Sequence, residues 1–124
     1  MEIIIPEYKI ERRVRAMAHT LSEEHRNSNS AYPPVMIGVL NGAFMFFTDL
    51  VKDMGIDIEV DFIRPKSYVG KDNKFPIDHY CFEIEDEWVV GYGFDDNGLK
   101  RNYRNLYKIK EIMAGEPFMV GNYN

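Results

Sequence analysis

The segment VMIGVLNGAFMFFTDL, residues 35–50, most constrains the fold of this chain because its hydrophobic period changes halfway along. It begins as an apolar run rich in β-branched residues, which predicts a buried strand over Val35–Leu40. After Asn41-Gly42 the apolar residues return at helical spacing, which predicts a helix over about 43–54. A second apolar run at Ile58–Ile63 completes a β-α-β unit. We therefore expect two parallel, neighbouring strands joined by a right-handed crossover.

The remaining patterns extend this unit into an α/β domain. Residues 7–25 carry an apolar stripe at helical spacing. The stripe consists of Ile10, Val14, Met17 and Leu21. Further strands are predicted at Trp88–Phe94 and about Leu106–Ile112, and the polar stretch 64–78 is predicted to be a loop. No repeat, low-complexity tract or linker divides residues 1–124, so we expect a single domain.

Charge and cysteine content narrow the function classes. The net charge of -5 argues against a general nucleic-acid binder, which usually carries a basic face. The apolar runs are too short to cross a bilayer, and no basic segment followed by a long apolar stretch suggests a signal peptide. Cys81 is the only cysteine, which excludes an internal disulfide. We therefore expect a cytoplasmic protein with no membrane or nucleic-acid partner.

Two loops carry groups that could bind a ligand, and each also has a structural interpretation. Asn41-Gly42 lies between a strand and a helix, where glycine allows close backbone approach and free N–H groups favour an anion. It could equally be a tight turn that lets the helix pack back. Lys66, Ser67 and Tyr68 offer a charge, a hydroxyl and a shielding ring, as in a lid over a substrate. They could also form an ordinary exposed loop.

A third candidate is WVVGYGFDDNG at residues 88–98, where a predicted strand ends on two carboxylates. In α/β sheets, ligand-binding residues commonly follow the carboxyl ends of strands. Trp88 could stack on a flat heterocycle, and Asp95 could hold a hydrated Mg²⁺. The alternative is a buried strand followed by a polar turn.

Taken in order, three segments resemble the hypoxanthine-guanine phosphoribosyltransferases, which have the type I phosphoribosyltransferase fold. The segments are VMIGVLNGAFMFFTDL, EVDFIRPKSYVG and FEIEDEWVVGYGFDDNGLKRNYRNLYKI. The resemblance covers most of residues 3–112 and is most specific in VVGYG-F-D with the Arg-Asn that follows. It implies a three-layer α/β domain of purine salvage. Such an enzyme transfers ribose 5-phosphate from phosphoribosyl pyrophosphate (PRPP) to a purine base, releasing pyrophosphate, with Mg²⁺.

The resemblance also assigns roles to ten residues, divided among a lid, a purine site, a diphosphate site and a metal. They are Lys66, Ser67 and Tyr68 in the catalytic lid; Trp88, which stacks on the purine, and Val89, whose backbone meets the edge of the base; Leu40, Asn41, Gly42 and Arg101 at pyrophosphate; and Asp95 at Mg²⁺. Many relatives have Lys or Arg at the position of Asn41, so this chain lacks a cation there.

One expected motif is missing. Between Gly70 and Pro76 the family normally carries the PRPP strand and loop, in which an acidic pair precedes Asp-Thr/Ser-Gly, and this chain has no such sequence. That loop cradles the 5-phosphate and binds the ribose hydroxyls, and positioning of this kind provides most of the catalysis in such transfers. We therefore expect weak or lost catalysis. The alternatives are a non-catalytic purine- or nucleotide-binding or regulatory module, and a self-associating minimal scaffold.

The missing strand also affects the predicted sheet. Without it, Trp88–Phe94 is expected to pair directly with Val35–Leu40, with Ile58–Ile63 on the other side. This gives a reduced, mainly parallel sheet in the order 2-1-3. A short sheet leaves unpaired edges that attract other chains. We therefore expect a homodimer or higher homo-oligomer.

Overall fold

The computed structural model describes residues 1–65 and 76–109. The predicted lid residues Lys66, Ser67 and Tyr68 lie outside this described part. Five strands and two helices are described. They are β1 (Glu2–Ile5), α1 (Glu7–Asn27), β2 (Val35–Val39), α2 (Phe44–Asp53), β3 (Glu59–Ile63), β4 (Val89–Val90) and β5 (Leu106–Lys108). In the described ranges, neither helix combines the length and apolar character needed to span a membrane.

The predicted β-α-β unit is confirmed. β2 and β3 are parallel, in a register that runs from Val35 opposite Glu59 to Val39 opposite Ile63. α2 connects them and buries Phe47 and Leu50. Because α2 must lead the chain back to the start of β3, the β2-α2-β3 unit determines where β2 ends. The turn that follows β2 is therefore held at the N-terminus of α2.

The core lies between the two helices and the N- and C-terminal strands. Ile10, Val14 and Met17 of the predicted stripe are buried on α1. They pack in one cluster with Leu50 of α2 and with Ile5 and Leu106, which come from β1 and β5. Leu21, the last residue of the stripe, is partly buried against the same cluster. Burial of this continuous apolar surface is the main force that joins the elements.

The segment before β4 is tied to α1 through an arginine. Arg13 donates from Nε to the carbonyl of Cys81 and from Nη2 to the carbonyl of Tyr80, both at 2.9 Å. Cys81 packs against the core. Burial raises the pKa of its thiol, while the Arg13 charge acts in the opposite direction. A neutral thiol in this position behaves as a small apolar side chain, not as a nucleophile.

The sheet differs from the predicted order 2-1-3. Among the described residues, Val89–Val90 does not pair with β2 but runs antiparallel to β5, which also pairs antiparallel with β1. The result is a three-stranded sheet β1-β5-β4 beside the two-stranded parallel sheet β2-β3. The class is α/β, but the sheet is not mainly parallel.

The backbone at residues 91–93 explains this difference. Gly91, Tyr92 and Gly93 have φ values of 97°, 50° and 97°, all in the left-handed region. An extended strand cannot continue through such conformations, so the chain turns back after Val90. Only two residues of the predicted Trp88–Phe94 strand are then available for pairing, and the strand at Leu106–Lys108 lies beside them.

One glycine controls how β2 packs on α2. A Cβ added at Gly38 would lie 3.0 Å from the ring of Phe47 and 3.1 Å from the ring of Phe62. These two rings contact each other edge-on, with centroids 5.3 Å apart. The absence of a side chain at Gly38 therefore lets an aromatic pair close over the strand.

We expect Gly38→Ala to lower the free energy of unfolding by about 1–3 kcal/mol, because an added methyl must displace packed rings. Gly42→Ala is the matched control: its Cβ would make ordinary contacts of 3.6 Å with Phe94. Both changes remove the same backbone freedom from the unfolded chain, so the difference isolates packing. Urea denaturation measures it. Equal stabilities would contradict the packing role of Gly38.

Candidate functional site

One pocket brings together residues that are far apart in sequence. It has a volume of about 520 Å³. Its lining consists of Gly42, Asp86, Glu87, Trp88, Val89, Phe94, Asp95 and Arg101. Five of these had been singled out from the sequence, as candidates for contacting a purine, a diphosphate or a metal: Gly42, Trp88, Val89, Asp95 and Arg101. The other two predicted residues in the described part, Leu40 and Asn41, precede Gly42 and do not line the pocket.

The Gly42 side of the pocket is the turn between β2 and α2. The Leu40 N–H donates to the carbonyl of Ile63 at 2.9 Å, which continues the pairing of β2 with β3. The Leu40–Asn41 peptide bond is cis. The Asn41 carbonyl then accepts from the N–H of Phe44 at 3.1 Å, and α2 begins without a side-chain cap. The predicted anion turn thus stands between a strand and a helix N-terminus.

The opposite side is a second turn that touches the first. A Cβ at Gly93 would lie only 2.6 Å from the carbonyl oxygen of Gly42, and Gly93 has a φ of 97°. Both the space and the backbone conformation therefore require glycine at this position. The close contact sets the distance between the β2-α2 turn and the turn that follows β4.

Asp95 and Arg101 are fixed by each other and by nearby backbone groups. Asp95 is 4% exposed, and its Oδ2 accepts from the N–H of Gly98 at 2.8 Å. Its Oδ1 lies 3.5 Å from Nη2 of Arg101, while Nη1 of Arg101 donates to the carbonyl of Gly93 at 2.7 Å. A guanidinium has five N–H donors, so Arg101 retains donors for an anionic ligand in the pocket.

These contacts limit how Asp95 can act as the magnesium ligand that the resemblance implies. Its carboxylate is already engaged by Gly98 and Arg101. In addition, residues 1–65 and 76–109 contain no group of three His, Cys, Asp or Glu side chains placed to hold a metal. Magnesium is usually bound through one or two carboxylates together with phosphate oxygens and water. The described residues therefore do not form a magnesium site made by protein groups alone.

Trp88 combines a fixed backbone with an exposed ring. Its carbonyl accepts from the N–H of Ile109 at 3.1 Å, and Val89 next to it pairs with Lys108. Trp88 as a residue is 44% exposed, and it lines the pocket. A large aromatic side chain held in this way presents a flat surface on which a heterocycle can stack.

Three pocket residues were missed in the sequence. Phe94 had been placed within a strand, yet it is 43% exposed and its ring borders Gly42. Asp86 and Glu87 belong to an acidic stretch typical of a solvated turn. Glu87 forms an ion pair with Lys108 at 3.0 Å, and this contact raises the pKa of the lysine. Their adjacency to Trp88 and Asp95 in the sequence was the available signal.

Comparison with curated proteins gives matches that include hypoxanthine phosphoribosyltransferases. No protein-family model matches the chain. The hypoxanthine phosphoribosyltransferase of Salmonella typhimurium is 35% identical over 68 residues, which cover 55% of this chain and 37% of that enzyme. The hypoxanthine-guanine-xanthine phosphoribosyltransferase of Tritrichomonas foetus is 27% identical over 159 residues, which cover 78% and 83%. The match to the Salmonella enzyme thus spans little more than a third of its length.

Solved structures agree on the fold. The hypoxanthine phosphoribosyltransferase of Trypanosoma cruzi, in complex with the product IMP, superposes with a TM-score of 0.79. The superposition covers 89% of this chain and 90% of that enzyme at 17% identity, so it supports the fold alone. The curated sequence matches and the shared fold make this chain similar to the hypoxanthine-guanine phosphoribosyltransferases.

Proposed function

We propose that the chain binds a purine base or nucleotide in the pocket between the two turns. Trp88 stacks on the base, and the backbone of Val89 contacts the edge of the base. Gly42 and Arg101 receive the phosphate or pyrophosphate. The observation that carries this assignment is the presence of an exposed indole and a fixed guanidinium in one pocket of about 520 Å³. The names of the curated relatives, and the IMP bound to the Trypanosoma cruzi enzyme, favour the same ligand class.

The charges in the pocket favour a modest affinity for the anionic part of the ligand. Arg101 is the cation among the described lining residues, and Asp95 already offsets part of its charge. Asn41 provides no charge. The binding of a phosphate therefore depends on one guanidinium and on backbone N–H groups near Gly42, and it weakens as salt concentration rises.

A bound diphosphate would have to bring the magnesium ion into this site. Because Asp95 is engaged by protein groups, phosphate oxygens of a bound diphosphate would have to complete the coordination of the ion. When bound, Mg²⁺ would neutralise phosphate charge, and the residues of this chain would orient the base and the anion.

The same proposal includes weak or absent transfer of ribose 5-phosphate. Its support is the sequence, which has no acidic pair followed by Asp-Thr/Ser-Gly. The alignment with the Tritrichomonas foetus enzyme also extends over 159 residues although this chain has 124, so that relative has residues within the aligned span that this chain lacks. Removing a single preorganised donor typically lowers a rate by ~10²–10³.

A non-catalytic nucleotide-binding or regulatory module is therefore the second candidate. The pocket favours it because Trp88, Gly42 and Arg101 can contact a base and an anion without the groups that position a ribose. Binding and turnover measured on the same preparation distinguish this module from an active transferase.

Trp88 is the only tryptophan, so its fluorescence reports directly on the pocket. We expect inosine monophosphate to quench this emission in a saturable manner, because the purine stacks on the indole. In calorimetry, Trp88→Ala should lose at least about tenfold in affinity, the equivalent of roughly 1.4 kcal/mol. Phe82→Ala, which removes a partly exposed ring outside the pocket, should bind normally. Absence of both quenching and heat at millimolar nucleotide would refute the proposed site.

With hypoxanthine or guanine, PRPP and Mg²⁺, we expect purified protein to form nucleotide far more slowly than ~1–10³ s⁻¹, the usual range for enzymes. The Salmonella typhimurium relative assayed in parallel serves as the positive control. Formation of nucleotide is followed by chromatography. A turnover within the usual range would show that some other part of the chain binds the ribose phosphate.

A homodimer is also part of the proposal. On β2, Val35 and Ile37 are apolar, and both residues are 55% exposed. On β3, Ile63 is also exposed, while Glu59 and Asp61 pair with Val35 and Ile37 and lie on the same face. The two strands form a sheet of their own in the described part of the chain, so their outer edges have no neighbouring strand there. Exposed apolar side chains beside open strand edges favour association with a second copy.

Light scattering should give a mass about twice the 14.5 kDa of one chain. Ile37→Lys should shift the protein towards the monomer, because it would bury a charge in the contact. Tyr32→Lys, which introduces the same charge at an exposed loop position, should leave the mass unchanged. A monomeric parent protein would refute this association.

A further inference from the structure

A hydrogen bond outside the pocket connects the second turn to helix α2. The hydroxyl of Tyr92 donates to Oδ2 of Asp49 at 2.8 Å. Neither residue lines the pocket that contains Trp88 and Arg101. Both line a separate cavity of about 440 Å³ between the helices and residues 102–104. Any effect of this pair on the ligand must therefore pass through other residues.

Tyr92 occupies a conformation that its surroundings have to maintain. Its φ of 50° lies in the left-handed region, which is unfavourable for a residue with a Cβ. Its N–H donates to the carbonyl of Tyr103 at 2.8 Å, and its side chain is held by Asp49. Burial raises the pKa of the hydroxyl, and the Asp49 contact raises it further, so the hydroxyl stays protonated and able to donate.

Gly93, the next residue, contacts both of the groups assigned to the phosphate. Its N–H donates to the carbonyl of Arg101 at 2.9 Å, and its own carbonyl accepts from the Arg101 guanidinium at 2.7 Å. Its Cα packs against the carbonyl of Gly42. A rotation of the Tyr92 backbone would therefore move the attachment point of Arg101 and the surface on which the Gly42 turn rests.

These contacts form a short closed ring. α2 begins just after the Gly42 turn and carries Asp49 about one and a half turns further along. Asp49 is hydrogen-bonded to Tyr92, and Tyr92 is covalently linked to Gly93. Gly93 in turn lies against the carbonyl of Gly42. Because the ring uses one rigid helix segment and two tight turns, loss of a single contact releases a small and well-defined part of the structure.

We propose that Tyr92 and Asp49 are positioning residues that hold Gly42 and Arg101 at the spacing required for a phosphate or pyrophosphate. The choice of this ligand rests on the proposed function of the pocket. The pair acts from outside the pocket, by preventing the Gly91–Gly93 turn from relaxing to a more favourable backbone conformation.

The first test needs no ligand. Tyr92→Phe removes the hydroxyl, and amide hydrogen exchange at Gly93 in the free protein should become roughly fivefold to tenfold faster, as expected for the loss of about one hydrogen bond. Tyr107→Phe is the matched control, since it removes a partly buried hydroxyl contact with Asn105 and lies in β5, outside the Gly91–Gly93 turn. Unchanged exchange at Gly93 in Tyr92→Phe would overturn the proposal, whether or not the chain binds a nucleotide.

The second test measures affinity, with inorganic pyrophosphate as the probe in calorimetry. Tyr92→Phe and Asp49→Ala should each weaken binding by roughly fivefold, whereas Tyr107→Phe, with a similar loss in Tm, should not. Asp49→Asn retains an oxygen acceptor and should restore most of the affinity. Equal affinities in Tyr92→Phe and the parent protein would overturn the positioning role. A parent protein that binds no pyrophosphate would refute the proposed function instead, and the exchange rates would then decide whether the pair holds the turn.

Discussion

The contact between the carbonyl of Gly42 and the Cα of Gly93 determines how the two halves of the site meet. A Cβ at Gly93 would lie only 2.6 Å from the carbonyl oxygen of Gly42, so the turn after β2 and the turn after β4 leave no room for a side chain between them. The first turn belongs to the parallel β2-α2-β3 unit, and the second to the antiparallel sheet β1-β5-β4. No strand pairing joins these two sheets in the described residues. Their relative position at the site therefore depends on this contact, on the Tyr92–Asp49 hydrogen bond and on packing in the shared core.

The structure around the first turn could be predicted from the sequence, whereas the structure around the second turn could not. The β-α-β unit was predictable because hydrophobic period, turn residues and strand spacing all agree over residues 35–63. The pairing of the strand at Trp88–Phe94 was not, because VVGYGF reads as an uninterrupted β-rich run. Its glycines allow left-handed conformations but do not require them. In the structure, the carbonyl of Asn105 leaves no room for a side chain at Gly91, and the carbonyl of Gly42 leaves none at Gly93. β1 was also missed, since its pairing partner, β5, lies about a hundred residues away.

The site was partly predictable for a different reason. Residue spacing alone could not distinguish a ligand-binding role from a structural role for Gly42, Trp88 and Asp95. The family resemblance implied ligand-binding roles because these residues occur in the order that the family shows. The structure brings these three residues around one pocket. Phe94 was missed because an extended strand over Trp88–Phe94 would hold its two ends about 20 Å apart. In the structure Trp88 and Phe94 reach the same pocket, since the intervening turn reverses the direction of the chain.

This architecture makes binding and catalysis separable in physical terms. In the proposed function, the base and the phosphate would be contacted by two turns that lie against each other. Catalysis of ribosyl transfer requires in addition that the sugar be held in line between the attacking base and the leaving pyrophosphate, and effective molarity is lost when that group is not positioned. A chain with the first set of contacts and without the second would retain affinity for ligands at the two ends of the pocket. It would lose the rate advantage that comes from holding the reacting atoms of the sugar between them.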